Sequence, residues 1–124
     1  LELGLVLDTL FVSVFKIYYY LSKSGKRPTV DFINSLEPRE KIKVDYLLKL
    51  LEEYGSQIGM PHTKKIRNTS LWELRVRSKR TIRIFYTAYL QGYFVILHGF
   101  IKKTQRTPEK EIGVALQRLR EVEN

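Results

Sequence analysis

The stretch Leu71-Trp72-Glu73-Leu74-Arg75-Val76-Arg77-Ser78-Lys79-Arg80-Thr81-Ile82-Arg83-Ile84-Phe85-Tyr86-Thr87-Ala88-Tyr89 alternates apolar and polar residues on both sides of a short Ser-Lys-Arg interruption. A period of two is the signature of a strand with unlike faces. It predicts strands over about Leu71–Arg77 and Thr81–Tyr89. A third follows over about Tyr93–Ile101, after a Gln91-Gly92 pair that suits a two-residue turn. Trp72, Leu74 and Val76 share one face, and Leu71, Glu73, Arg75 and Arg77 share the other. In the next strand Ile82, Ile84, Tyr86 and Ala88 oppose Arg83, Phe85, Thr87 and Tyr89. A one-residue slip would expose the apolar set, so burial fixes the register. Val76 then faces Ile82, Arg75 faces Arg83 and Glu73 faces Phe85. A Gln91-Gly92 turn pairs Leu90 with Tyr93, Phe85 with His98 and Arg83 with Phe100. The expected polar face therefore carries Glu73, Arg75, Arg83 and His98, with Lys102 and Lys103 leaving its end.

Outward from this block, Leu10–Leu21 is rich in β-branched and aromatic residues and reads as a strand ended by Ser24-Gly25-Lys26. Pro28 opens a short helix carrying Val30, Phe32, Ile33 and Leu36. Glu37-Pro38 breaks it, and a longer helix runs from about Pro38 to Tyr54. Its apolar stripe is Ile42, Leu47, Leu50, Leu51 and Tyr54, and Gly55 is its stop. Ser56–Thr69 reads as a polar loop. Pro108 opens a final amphipathic helix with Ile112, Ala115, Leu116 and Leu119 on one side. The order is βααβββα, an α+β fold with an antiparallel sheet packed against the two N-terminal helices and a helix at the C-terminus. Residues 1–14 read as an N-terminal extension or appended residues leading into the first strand, and 15–124 as one domain.

The chain has 124 residues and a net charge of +9. Eleven of its 22 basic residues lie between Gly55 and Thr107, and the only acid there is Glu73. The rest of the chain is nearly neutral. A positive field concentrated in this way favours a polyanionic partner over a merely solvated surface. There are no cysteines, which excludes disulfides and thiolate chemistry and fits a reducing compartment. The two histidines, His62 and His98, have no ligand spacing around them, so no metal and no cofactor is expected. Glu2, Asp8 and Lys16 interrupt the apolar N-terminus before it reaches the roughly 18–20 residues of a spanning helix. No basic segment precedes it as in a signal peptide, so a cytoplasmic location is expected.

The clustered residues suit RNA cleavage by attack of a ribose 2′-hydroxyl on the adjacent phosphate. A carboxylate or histidine can move the proton, and arginines grip and stabilise phosphoryl oxygens. Glu73 is either that base or the partner of a cross-strand ion pair with Arg75 or Arg77. His98 is either a proton donor or a partly buried histidine satisfied by its neighbours. Arginines facing one another are destabilising unless an anion sits between them. Lys64, Lys65, Arg67, Arg77, Lys102 and Arg106 are candidate phosphate contacts, and Phe85 and Phe100 could stack on bases.

The same segments resemble the RelE/ParE superfamily of toxins of type II toxin–antitoxin systems, most closely its HigB-like, phage-associated branch. The matching stretches are Phe32–Leu36 after Pro28, Leu71–Arg75, Ile82–Tyr86, and above all His98–Pro108 leading into Glu111, Ile112 and Ala115. The resemblance implies a compact sheet with packed helices and a metal-independent, ribosome-dependent endoribonuclease that cleaves mRNA. It implies a cognate helix-turn-helix antitoxin, whose complex with the toxin binds operator DNA. By position Arg75 and Arg83 match basic active-site residues, and Glu73 falls where some relatives carry a catalytic glutamate. No residue of the final helix matches the relatives' C-terminal tyrosine or histidine, which leaves His98 or Lys103 as proton donor. A toxin acting on DNA gyrase and a non-catalytic nucleic-acid-binding module are the competing readings.

Overall fold

A computed structural model describes residues 15–123. Its strands are β1 (Lys16–Tyr19), β2 (Thr63–Lys65), β3 (Leu71–Arg77), β4 (Thr81–Ala88) and β5 (Tyr93–Lys102). Its helices are α1 (Pro28–Asn34), α2 (Pro38–Tyr54) and α3 (Glu109–Glu123), with a 3₁₀ turn at Gly55–Ile58. One sheet has the order β1-β5-β4-β3-β2; β1 runs parallel to β5 and every other pairing is antiparallel. The α+β class and the order of the predicted elements match the expectation. The sheet has one strand more than expected, because β2 lies in what reads as a loop. Only Thr63 of its three residues is buried, so its two lysines give no alternation to read. The first strand is shorter than Leu10–Leu21, and residues 10–14 of that stretch lie outside the described residues.

Helices α1 and α2 cover one face of the sheet. Leu74, Val76, Ile82, Ile84, Tyr86, Phe94 and Ile96 from the strands pack there against Ile33, Leu36, Val44, Leu47, Leu48 and Leu51. The buried face of α2 runs through Glu40, Val44, Leu47, Leu48 and Leu51. Of the expected stripe, Ile42 and Tyr54 are exposed instead, at 67% and 53%. Ile42 sits off the row of residues three and four apart that meets the sheet, and Tyr54 continues that row but is the last residue of the helix. α2 starts at Pro38 with a capping box between Glu37 and Glu40, and stops at Gly55, whose φ of +62° favours glycine. α1 lies so close to β5 that a Cβ on Gly99 would stand 2.6 Å from Cδ2 of Phe32. A glycine in a strand interior marks this approach.

The register between β3 and β4 is the expected one, with Glu73 opposite Phe85, Arg75 opposite Arg83 and Val76 opposite Ile82. Their connection, Ser78-Lys79-Arg80, has no glycine. The carboxylate of Glu40 fastens it instead, accepting hydrogen bonds from Arg80 Nε at 2.8 Å and Nη2 at 2.6 Å. The β4–β5 turn differs from expectation. Tyr89 N–H donates to Tyr93 at 2.9 Å, so Leu90, Gln91 and Gly92 form a three-residue loop with Leu90 at φ +54° and Gly92 at φ +84°. Leu90 therefore does not pair with Tyr93. A bulge then absorbs one residue, since Tyr86 pairs with Ile96 while Phe85 pairs with His98, leaving Leu97 extra. The longer turn and the bulge offset each other, and Arg83 comes out opposite Phe100 as expected.

The second face of the sheet is not an open polar surface. Helix α3 lies on it. Ala115 and Leu119 pack with Tyr20, Leu71, Phe85, Val95, Leu97 and Phe100, and Ile112 and Leu116 flank them. The apolar side of the final helix thus finds its partner on the face that the alternation marked as polar. Among the described residues no helix is long and apolar enough to cross a membrane.

Candidate functional site

On the α3 side the strands present their side chains in rows. One row is Lys64–Glu73–Phe85–His98, the next Arg75–Arg83–Phe100, and the last Arg77–Thr81–Lys102. α3 closes over the aromatic ends of the first two rows and leaves their basic ends and the last row outside its cover. The sheet face is thereby split into an apolar half and a basic half.

Glu73 is the hub of the basic half. It is 1% exposed. Its Oε1 accepts a hydrogen bond from Arg75 Nε at 2.8 Å and lies 2.9 Å from Arg83 Nε; its Oε2 accepts from Thr107 Oγ1 at 3.2 Å. This carboxylate is what allows two arginines to face each other across neighbouring strands. The ion pair that the sequence left open as one reading of Glu73 is therefore present, to Arg75 and Arg83 rather than to Arg77. Arg83 is 5% exposed, and its Nε–H is not aligned on the nearby oxygen. Both Nε and Nη1 lack a hydrogen-bond partner among the described residues. Burial pushes the Arg83 guanidinium pKa down; Glu73 opposes this, and Arg75 and Arg77 add to it. A guanidinium starts high enough to stay charged. A buried cation with idle donors is costly unless something accepts from them.

Arg83 opens onto a cleft of about 540 Å³ lined by Arg77, Thr81, Arg83, Lys102, Lys103, Thr104 and Gln105. Lys102 Nζ donates to the Gln105 carbonyl at 2.8 Å, and Thr104 Oγ1 donates to the Arg106 carbonyl at 2.7 Å, which folds the loop back along the cleft. Burial lowers the Lys102 pKa, with Arg83, Arg75 and Arg77 lowering it further and Glu73 opposing them. Four cationic side chains and no carboxylate line this volume, so it suits an oxyanion such as a phosphodiester.

The expected site residues divide accordingly. Glu73, Arg75, Arg83, Arg77, Lys102 and Lys103 come together. Lys64 lies on β2 directly opposite Glu73, not on a loop, and its exposed side chain extends the basic surface; Lys65 points to the other side of β2. Arg67 and Arg106 are exposed on the turns after β2 and before α3. His98 is placed elsewhere. Its ring stacks on Phe100 with centroids 5.7 Å apart, its Nδ1 is 3.2 Å from Arg118 Nη1, and its Nε2 is 3.3 Å from Glu111 Oε1. Arg118 can only donate, so Nδ1 accepts and the ring is neutral with its proton on Nε2. Burial lowers the His98 pKa; Glu111 opposes this and Arg118 reinforces it. With both nitrogens engaged by α3, His98 is a satisfied partner of that helix and not a proton donor of the cleft. Phe85 is fully buried and Phe100 nearly so, in edge-to-face contact at 5.2 Å. Neither has a face free for a base, which corrects the stacking expectation.

Thr81, Thr104, Gln105 and Thr107 were not among the expected site residues. Their neutral side chains gave no charge signal, although Thr107 stands just before Pro108 in the segment that opens the last helix. Among the described residues no group of three or more His, Asp or Glu stands together as metal ligands would.

Residues 31–120 match the model of a protein family described as Phage derived protein Gp49-like (DUF891). This span runs from within α1 to within α3 and includes every residue of the cleft. Comparison with curated proteins finds no significant match.

Proposed function

The chain belongs to the Gp49-like family of phage-derived, RelE-like toxin proteins, and from that premise we propose that it is an endoribonuclease toxin that cleaves mRNA on the ribosome. The observation that carries this reading is Arg83: a guanidinium ion-paired to the buried Glu73 carboxylate, lining a cleft whose charged residues are all basic. In the reaction a ribose 2′-oxygen attacks the adjacent phosphorus and the bond to the 5′-oxygen breaks. Negative charge builds on the non-bridging oxygens. Arg83 meets them with fixed donors, and Arg77 and Lys103 neutralise the flanking backbone. Glu73 positions Arg75 and Arg83. With Oε1 between two arginines and Oε2 held by Thr107, it is poorly placed to take a proton. Lys64, Arg67 and Arg106 extend the surface toward messenger or ribosomal RNA. The toxin acts in the cytoplasm, and a helix-turn-helix antitoxin from the same operon restrains it.

The test is induced expression in growing cells with mapping of mRNA 5′ ends. Wild type gives new ends within minutes, and Arg83→Ala gives none while keeping a cooperative unfolding transition. Growth arrest with intact messages would refute the ribonuclease reading, and lost plasmid supercoiling in the same cells would move the target to gyrase.

A further inference from the structure

Cleavage at a ribose 2′-oxygen leaves the 5′-oxygen in need of a proton. The groups near the cleft narrow the choice. Both oxygens of Glu73 are occupied, and the carboxylate is buried. His98 stands on the far side of Phe85, with both ring nitrogens engaged by α3. Lys103 is exposed beyond the end of β5. Lys102 is different. It is the last residue of β5, opposite Thr81, on the same face as Arg83 and in the same cleft. Its only hydrogen-bond partner among the described residues is the neutral Gln105 carbonyl.

We propose that Lys102 is the general acid of the cleft, delivering the proton to the departing 5′-oxygen; this rests on the ribonuclease reading. The 2′-oxygen–phosphorus bond forms and the phosphorus–5′-oxygen bond breaks. The proton of the 2′-hydroxyl passes to water. One ammonium proton of Lys102 goes to the 5′-oxygen, and the neutral amine is reprotonated from solvent. The products are a 2′,3′-cyclic phosphate and a 5′-hydroxyl end. The groups around Lys102 fit a donor: Arg83 from β4 and Arg75 and Arg77 from β3 disfavour its positive charge, with Glu73 as the one acid opposing them, and Lys103 lines the same cleft. Together with burial they weaken its hold on the proton, and an acid nearer neutrality transfers more readily. The Gln105 carbonyl holds the ammonium in place without competing for its proton.

The test uses the full chain on programmed ribosomes. The mRNA carries, at the cleavage position mapped beforehand, either the natural linkage or one in which sulfur replaces the bridging 5′-oxygen. A thiolate leaves without protonation. Lys102→Met should lose about 10²–10⁴-fold in single-turnover rate on the natural linkage, the usual range for general acid catalysis. On the sulfur linkage it should come within about tenfold of wild type. Lys102→Arg keeps the charge but is too weak an acid, so it should match wild type in mRNA binding while remaining slow on oxygen and recovering on sulfur. The wild-type rate on oxygen should fall as pH rises through the Lys102 pKa, and this limb should vanish with sulfur. Equal losses on both linkages would make Lys102 a phosphate contact and overturn the proposal, as would full activity of Lys102→Met on oxygen. A wild type inert on both linkages would overturn the ribonuclease reading instead.

Discussion

Replacing Glu73 by Gln removes one negative charge from a place where three groups depend on it. The side chains of Glu73 and Arg83 are 2% and 6% exposed, so solvent cannot make good the loss; Arg75, at 17%, can swing outward. Breaking a buried ion pair by neutralising one partner costs about 3–5 kcal/mol, because the other charge stays buried without compensation. The glutamine amide still accepts one bond from Arg75 or Thr107, which places the expected loss near the low end, about 3 kcal/mol. A domain has only about 5–15 kcal/mol to lose. For a chain of this size that loss corresponds to a fall in Tm of roughly 10–15 °C. Urea unfolding followed by circular dichroism measures it, with the slope checked for constancy. The double variant Glu73→Gln/Arg83→Met separates the mechanism from simple loss of packing. It removes the stranded charge as well, so it should be more stable than Glu73→Gln alone by at least 1 kcal/mol, a coupling of the size expected for contacting residues. A Glu73→Gln loss below about 1 kcal/mol, or a double variant less stable than the single, would refute the view that Glu73 acts chiefly as the counter-ion of Arg83.

Two further outcomes follow from the framework around the cleft. Arg80 pulls the Glu40 pKa down to about 2 against burial, which raises it. A carboxyl with a lowered folded-state pKa contributes stability that is present above its unfolded value and is lost as pH falls through the folded one. The unfolding midpoint of wild type should therefore drop between about pH 4.5 and pH 2, and Glu40→Gln should lack that component; identical pH profiles would refute it. Gly99→Ala should destabilise by about 1–3 kcal/mol through its clash with Phe32, the usual cost of overpacking, and Phe32→Leu should recover part of it in the double variant; an unchanged Tm for Gly99→Ala would show that the ring moves freely.

The strand pairs and the arginine row were legible because they rest on alternation, which burial of Leu74, Val76, Ile82 and Ile84 enforces. The Arg83–Phe100 pairing was reached through a turn one residue too short. The actual turn places Leu90 in the left-handed region, and only the bulge at Leu97 restores the register. Neither is written in the hydrophobic pattern, since Leu97 is apolar like Val95 and Ile96 before it and fits either face. The role of the second face was misread for a related reason. Arginine, glutamate and histidine marked it as polar, yet Phe85, Phe100, Val95 and Leu97 on the same face needed cover. The apolar stripe of the last helix was visible, but its docking partner depends on tertiary structure. His98 shows the cost of that gap: from one strand it looks like a free acid–base group, and Glu111 and Arg118 that occupy it arrive from α3.

The position of α3 also explains why the basic residues form a cleft and not a flat patch. Its docking uses the apolar residues at one side of the face, so the helix lies over Phe85, Phe100 and Leu97 and stops short of Arg77, Thr81 and Lys102. The segment that leads into it must return from the end of β5, and it does so through Thr104, Gln105, Arg106 and Thr107. Lys102 donates to the Gln105 backbone carbonyl on one side, and Thr107 reaches Glu73 on the other. That segment becomes the cleft's second wall. The same contact ties helix position to arginine position, because Thr107 and Arg75 share one carboxylate. A residue whose charge cancels part of the local field would be wasted in a site built only for phosphate affinity. Glu73 is instead the group that holds two mutually repelling arginines side by side, each within ion-pair distance of its Oε1.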